Sequence, residues 1–227
     1  LRAAVPRGIL ACMKIRAAVL RQIGRPGPYA DTQPLGIEDV ELDAPGKGEV
    51  LVRIRAAGLC HSDLSVIDGN RPRPMPMVLG HEAAGVVEQL GPGVTHLQRG
   101  DHVVAAFVPS CGHCIPCATG RPALCEPGFR ANSAGTLLSG ERRLHDGNGA
   151  VHHHLGVSGF AQYAVLAANS LVRVPSDLPF AEAALFGCAV ITGVGAVVNT
   201  AQMPHGASAA IVGLGGVGLA ALLAARM

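Results

Sequence analysis

Glu49-Val50-Leu51-Val52-Arg53-Ile54-Arg55-Ala56 is the stretch that decides the fold. Val50, Val52, Ile54 and Ala56 fall on one face of an extended chain, and Arg53 and Arg55 fall on the other. A period of two predicts a half-buried β-strand. Working outward, the apolar runs at 78–90 and 101–107 also read as strands, separated by Gly91-Pro92-Gly93 and Arg99-Gly100-Asp101. Many short strands with Gly and Pro between them, from Met13 to about residue 107, predict a barrel or sandwich. Strand character returns at 160–174. From Pro179 the pattern turns helical through Phe180-Ala181-Glu182-Ala183-Ala184-Leu185-Phe186 and on towards Ala201. Ala209-Ala210-Ile211-Val212 then reads as a short buried strand, followed by a Gly-rich turn and a helix over 219–227. The expected class is α/β with a large β component.

Composition supports a folded chain. There are 30 Gly and 16 Pro in 227 residues, but 49% of residues are hydrophobic and 15% charged, which argues for a turn-rich globular protein over disorder. The net charge of +2 gives no electrostatic reason for a nucleic-acid or membrane-surface partner. No apolar run is read as approaching the roughly 20 residues that span a bilayer. Residues 1–12 are too short and broken for a secretory signal, and they precede the first methionine, Met13. They are expected to be an extension outside the fold of a cytoplasmic protein.

Seven cysteines fall at 12, 60, 111, 114, 117, 125 and 188. Cys111, Cys114, Cys117 and Cys125 form a C-x2-C-x2-C-x7-C array in a stretch, 108–159, without sustained periodicity. Four thiolates at such spacing suit a closed structural zinc site, and two-residue spacers let backbone amides face the sulfurs. Iron–sulfur runs also use close thiolates, though the bacterial pattern has a different last spacing. Disulfides are the weaker alternative in a chain without an export signal.

Cys60, His81 and Cys188, with Glu82 beside His81, are the remaining groups of zinc-ligand type. Singly, each reads as an ordinary buried residue. Together with Cys60-His61-Ser62-Asp63 at a strand end, they read as an open catalytic set: two cysteines and a histidine, with a fourth position for water or substrate. Zinc in such a site polarises a carbonyl or stabilises an alkoxide.

Gly213-Leu214-Gly215-Gly216-Val217-Gly218 fits G-x-G-x-x-G between an expected strand and an expected helix, the context of a dinucleotide-binding turn. Its glycines permit close approach to a pyrophosphate held at the helix N-terminus. The acidic residue that would select the ribose 2′-hydroxyl is expected about 20 residues on, past Met227, so NAD and NADP stay undistinguished. The chain therefore reads as a fragment, expected to bind zinc but to turn over slowly or not at all alone.

These motifs, in this order, resemble the zinc-dependent medium-chain alcohol dehydrogenases. The likeness runs from about Met13 to Met227 and includes Gly80-His81-Glu82-Ala83-Ala84-Gly85, the four-cysteine lobe, Gly187-Cys188 with Thr192-Gly193, and the glycine turn. The stretch from Gly135-Thr136 to His152-His153 resembles the liver-type and glutathione-dependent formaldehyde branches. The resemblance implies a GroES-like catalytic β-barrel domain over 13–189 with its structural-zinc lobe at 108–128. Residues 190–227 would be a linker helix and the truncated start of a Rossmann domain. It implies two zinc ions, one on Cys60, His81 and Cys188 with Glu82 as an occasional ligand, the other on the four-cysteine lobe. Ser62 would contact the substrate hydroxyl and relay its proton, and Asp63 would orient His81. His61, Thr192, Gly213, Gly215 and Gly218 would contact NAD or NADP. Phe107 and His154 would line the substrate pocket, His154 standing where liver-type enzymes have Phe. The implied reaction is reversible oxidation of a small alcohol, with homo-oligomers when full length. A formaldehyde–thiol adduct dehydrogenase of the same fold and a non-catalytic zinc module are the alternatives. Ser65 departs from the histidine many relatives use as outer proton acceptor. The run His152-His153-His154 is read as loop and pocket, because adjacent side chains diverge.

Overall fold

Strand β3 (Glu49–Gly58) is the spine of the molecule. The structure, a computed structural model, describes residues 12–227. The expected extension 1–12 lies outside these residues except for Cys12, which opens strand β1 (Cys12–Leu20) opposite Asp43. Alternation in β3 was expected to make it half-buried. Instead its first half is covered on both faces: Val50 and Val52 enter one apolar cluster with Val87, Val103 and Leu166, while Leu51 enters another with Ile15, Val40 and Val165. A strand between two cores buries its odd and even residues alike.

Two sheets build this arrangement. A closed barrel runs β1–β2–β7–β8–β4, where β2 is Leu35–Asp43, β4 Met77–Val78, β7 Leu144–Asp146 and β8 Gly149–His153. A five-stranded sheet runs β10–β6–β5–β3–β9, where β5 is Glu82–Leu90, β6 His102–Ala105, β9 Tyr163–Ala167 and β10 Leu171–Arg173. All pairings are antiparallel except β4 with β8. Buried Glu49 ties the cores to the loop before β7: it accepts hydrogen bonds from Gly46 N at 2.7 Å, Ser139 Oγ at 2.7 Å and Arg143 Nε at 2.8 Å.

Helix α1 is a single turn (Tyr29–Thr32), and α2 (His61–Ile67) follows β3 directly. Residues 108–159 are more regular than expected, with short α3 (Ile115–Ala118), α4 (Glu126–Ala134) and strands β7 and β8. Three of these elements have only three to five residues, too short for periodicity to register, and α4 has nine. A continuous helix, Phe180–Thr200, comprises α5 (Phe180–Leu185) and α6 (Ile191–Gly195) joined and followed by π-helical turns. At 21 residues and mean hydropathy 1.9 it is, by length and composition alone, apolar enough to cross a membrane, which corrects the expectation that no such run exists. Its Ala183 and Ala184 pack on Ala84 and Val104 of the second sheet. The expected strand 209–212 does not form: no described strand lies beside it, and Val212 is fully exposed. A strand gains its ladder and burial only from neighbours. Helix α7 (Gly216–Ala225) begins three residues earlier than expected, within the glycine turn, and packs on α6.

Candidate metal and active site

Cys60 lies two residues past the end of β3 and is the N-cap of α2, in a capping box whose partner is Asp63. Asp63 therefore closes the helix start. His81 and Glu82 sit where the chain enters β5. Gly80 makes that entry possible: its φ is +89°, and a Cβ would lie 2.6 Å from Phe160 N. Cys188 lies in the π-helical turn Phe186–Val190, an irregularity frequent at functional sites. Gly187 lets this helix touch the Ala105 carbonyl of β6, a contact any Cβ would obstruct, and so sets the Cys188 sulfur beside the other groups.

These elements bring Cys60, His81, Glu82 and Cys188 together, their ligand atoms all within 4.8 Å of one another. His81, Glu82 and Cys188 are buried, and Cys60 is half-buried. Burial pushes the Cys188 thiol well above its ordinary range, and the negative charges of Cys60 and Glu82 push it further. Two thiols and a carboxylate so placed repel one another once ionised, and a divalent cation removes that cost. The residues fit a zinc ion by donor type, number and burial.

Asp63 organises the site from behind. Its Oδ1 lies 3.2 Å from His81 Nδ1 and accepts from Gly80 N at 3.1 Å, and its Oδ2 accepts from Cys60 N at 3.3 Å. Burial disfavours its charge, but the imidazoles of His154 and His81 close beside it outweigh this and hold the carboxyl far below the usual range. His81 Nε2 is then the nitrogen left to a metal.

The four cysteines of the lobe also converge within 4.8 Å. As the two-residue spacing implied, amides face the sulfurs: Cys111 N and Gly128 N donate to Cys125 Sγ at 3.2 and 3.3 Å, and Cys114 N to Cys111 Sγ at 3.3 Å. The His113 amide draws the Cys111 thiol down to about 6, whereas desolvation pushes Cys117 up to about 12. Neighbouring thiols that cannot all ionise together are the donor set of a closed metal site.

Two clefts flank the centre. One, about 670 Å³, is lined by Cys60, His61, Cys188, Gly213, Gly215 and Gly218, so four of the five expected cofactor contacts share a wall with the metal set. Thr192, exposed on α6, is outside that lining. The other, about 470 Å³, is lined by Phe107 with Arg71, Arg73, Phe129 and Leu155. Phe107 meets the His81 ring edge-on at 5.6 Å. Ser62 is half-buried in the first turn of α2, and Ser65 Oγ donates to the His61 carbonyl at 3.0 Å.

The three consecutive histidines do diverge. His152 Nδ1 accepts from Arg142 Nε at 3.2 Å, and His153 Nε2 accepts from Arg143 N at 3.0 Å. His154 was expected in the substrate pocket wall. The structure buries it to 1% exposure, outside the lining of the Phe107 cleft and against Asp63 and His81. Sequence reading missed this contact, because nothing in the spacing of residues 63, 81 and 154 places them together.

Known proteins agree with this architecture. The alcohol dehydrogenase GroES-like domain family matches residues 46–176, and the chain belongs to that family. It is 39% identical over 215 residues to an S-(hydroxymethyl)glutathione dehydrogenase of Synechocystis, covering 94% of this chain and 56% of that protein. It is 41% identical over 210 residues to a putative alcohol dehydrogenase D of Mycobacterium tuberculosis, covering 92% and 55%. Among solved structures, an alcohol dehydrogenase zinc-binding domain protein from Burkholderia ambifaria superposes with TM-score 0.86 at 42% identity, over 95% of this chain and 56% of that one. Benzyl alcohol dehydrogenase from Acinetobacter calcoaceticus gives 0.80 at 37%, over 94% and 56%. The chain thus spans about half the length of the relatives it matches.

Proposed function

We propose that this chain carries the zinc-binding catalytic part, residues 13–189, of a zinc-dependent alcohol dehydrogenase, followed by the opening of its cofactor domain over 190–227. The whole protein interconverts a small alcohol with its aldehyde or ketone, using NAD or NADP. The observation that supports this most is the meeting of Cys60, His81, Glu82 and Cys188 from three separate elements between two clefts. Cys60, His81 and Cys188 hold the catalytic zinc, with Glu82 as a fourth donor when substrate is absent. Cys111, Cys114, Cys117 and Cys125 hold a second, structural zinc.

When bound, the catalytic zinc supplies a Lewis acid and the nicotinamide a hydride acceptor. The chain's own residues do the rest. Asp63 fixes the tautomer and direction of His81. Phe107 forms an apolar wall that excludes water from the reacting carbon. Ser62 takes the hydroxyl proton and passes it outward. Ser65 already donates to the His61 carbonyl, so the outward path runs through water or the exposed His61 imidazole. His61 and the glycine turn receive the cofactor pyrophosphate. A cytoplasmic location suits seven free cysteines, six of which this reading keeps as reduced metal ligands.

Metal analysis of the purified chain tests the reading. Two zinc ions are expected, and Cys60→Ser should retain one; a single zinc untouched by that change rules the proposal out. A thiol adduct of formaldehyde is the second substrate reading, favoured by the names of the Synechocystis and Paracoccus denitrificans relatives. Calorimetric titration of the zinc-loaded chain with S-(hydroxymethyl)glutathione and with benzyl alcohol separates the two.

A further inference from the structure

His154 is the buried imidazole that the proposed reaction leaves without a task. Its Nδ1 lies 3.2 Å from Asp63 Oδ1, the same oxygen that faces His81 Nδ1 at 3.2 Å. Despite that proximity it is too poorly aligned to make a hydrogen bond, and it has no hydrogen-bond partner among the described residues. The two imidazole rings meet edge-on, centroids 5.5 Å apart. The backbone around His154 is tightly held. The His154 amide donates to Ser158 Oγ at 3.0 Å, and the His154 carbonyl accepts from Val157 N at 3.0 Å and Ser158 N at 3.2 Å. That turn carries two non-glycine residues at positive φ, Leu155 at 52° and Ser158 at 54°. Such conformations cost free energy and persist where the surroundings over-determine them, characteristically at functional sites.

We propose that His154 is a positioning residue: with His81 it clamps the Asp63 carboxylate, and through Asp63 it fixes the two metal ligands that this carboxylate holds, His81 and Cys60. The inference rests on the zinc assignment above. Asp63 reaches Cys60 by one oxygen and His81 by the other. Any rotation of the carboxylate therefore loosens both ligands at once. A second imidazole 3.2 Å from Oδ1, the oxygen that does not bond Cys60, opposes that rotation. Buried without a hydrogen-bond partner, His154 Nδ1 has the Asp63 carboxylate as its near charged neighbour at 3.2 Å, and that attraction holds the two groups against each other.

The test loads the whole chain with cobalt(II), which reports thiolate ligation by its absorption bands. His154→Leu keeps bulk and removes the N–H; His154→Asn keeps an amide N–H near the position of Nδ1. Wild type should take up two cobalt ions. His154→Leu should weaken the Cys60 site about tenfold, in the range found for partners of metal-bound histidine, and shift its bands, leaving the four-cysteine site unchanged. His154→Asn should restore affinity and spectrum. Unchanged affinity and bands in His154→Leu overturn the proposal, as does His154→Asn behaving like His154→Leu. A third cobalt ion in wild type also overturns it, because Asp63, His81 and His154, whose ligand atoms lie within 4.8 Å, would then be a metal site themselves. Wild type binding only one cobalt, at the four-cysteine lobe, overturns the zinc assignment as well, so the two failures are distinct.

Discussion

Buried Glu49 and Gly80 show how much a single residue carries here. Glu49 is 2% exposed, and its carboxylate is satisfied wholly by Arg143, Ser139 and the Gly46 amide. Breaking one side of a buried pair leaves an uncompensated charge, so Glu49→Ala, which strands Arg143, should cost about 3–5 kcal/mol in urea unfolding. Gly80→Ala should also destabilise, by more than about 1 kcal/mol, because it meets both a positive φ and the Phe160 backbone. The same unfolding measurement checks it, and an unchanged midpoint would contradict the close approach. Cys188 is legible only in part at this scale: its residue type marks it as a candidate ligand, but its distance from Cys60 in sequence gives no geometry.

Among elements, the helix Phe180–Thr200 has the largest consequence, because its docking decides whether the site exists. Gly187 sets its depth against β6. Gly187→Val should push the helix outward and carry Cys188 off the Cys60 site, lowering zinc from two ions to one per chain while the four-cysteine ion stays. Retention of both ions would show that the helix tolerates the side chain without moving the sulfur. Strands β1, β2 and β7 are fastened at their ends by Arg21, which pairs with Glu38 on β2 and, at 2.5 Å, with Asp146 on β7. The hydrogen bond from Arg21 holds the Asp146 carboxyl below its usual range, against a smaller opposing effect of burial. A depressed carboxylate stabilises the fold above its unfolded value near ~3.9, and that share is lost as pH falls through the folded value. Arg21→Gln should therefore be less stable at pH 6 by at most about 1 kcal/mol, the scale of a surface pair, with the difference vanishing towards pH 2. Thermal melts across that range measure it.

At the scale of the whole molecule, two apolar clusters share β3 and stand independently of any metal, whereas the lobe at 108–128 has little else to hold it. Chelation of zinc should open the lobe to protease while the barrel and sheet resist digestion; a cleavage pattern indifferent to chelator would contradict this. Much of this arrangement was legible beforehand. The period of two in 49–56, the C-x2-C-x2-C-x7-C array and the G-x-G-x-x-G turn are local patterns, fixed by strand pleat, ligand spacing and turn sterics. Residues 209–212 were misread for the converse reason, since apolar character alone does not supply the neighbouring strand that a ladder requires.

The sequence by itself determined which residues carry metal-binding groups, the turn chemistry and the β-rich class, because each is written in residue type and local pattern. Only the tertiary structure decided that β3 is covered on both faces, that Gly187 seats Cys188 beside His81, and that His154 turns to Asp63 and away from the Phe107 cleft. These are contacts between residues far apart in the chain. They depend on how closely backbones approach and which way buried side chains turn, and no local pattern encodes either.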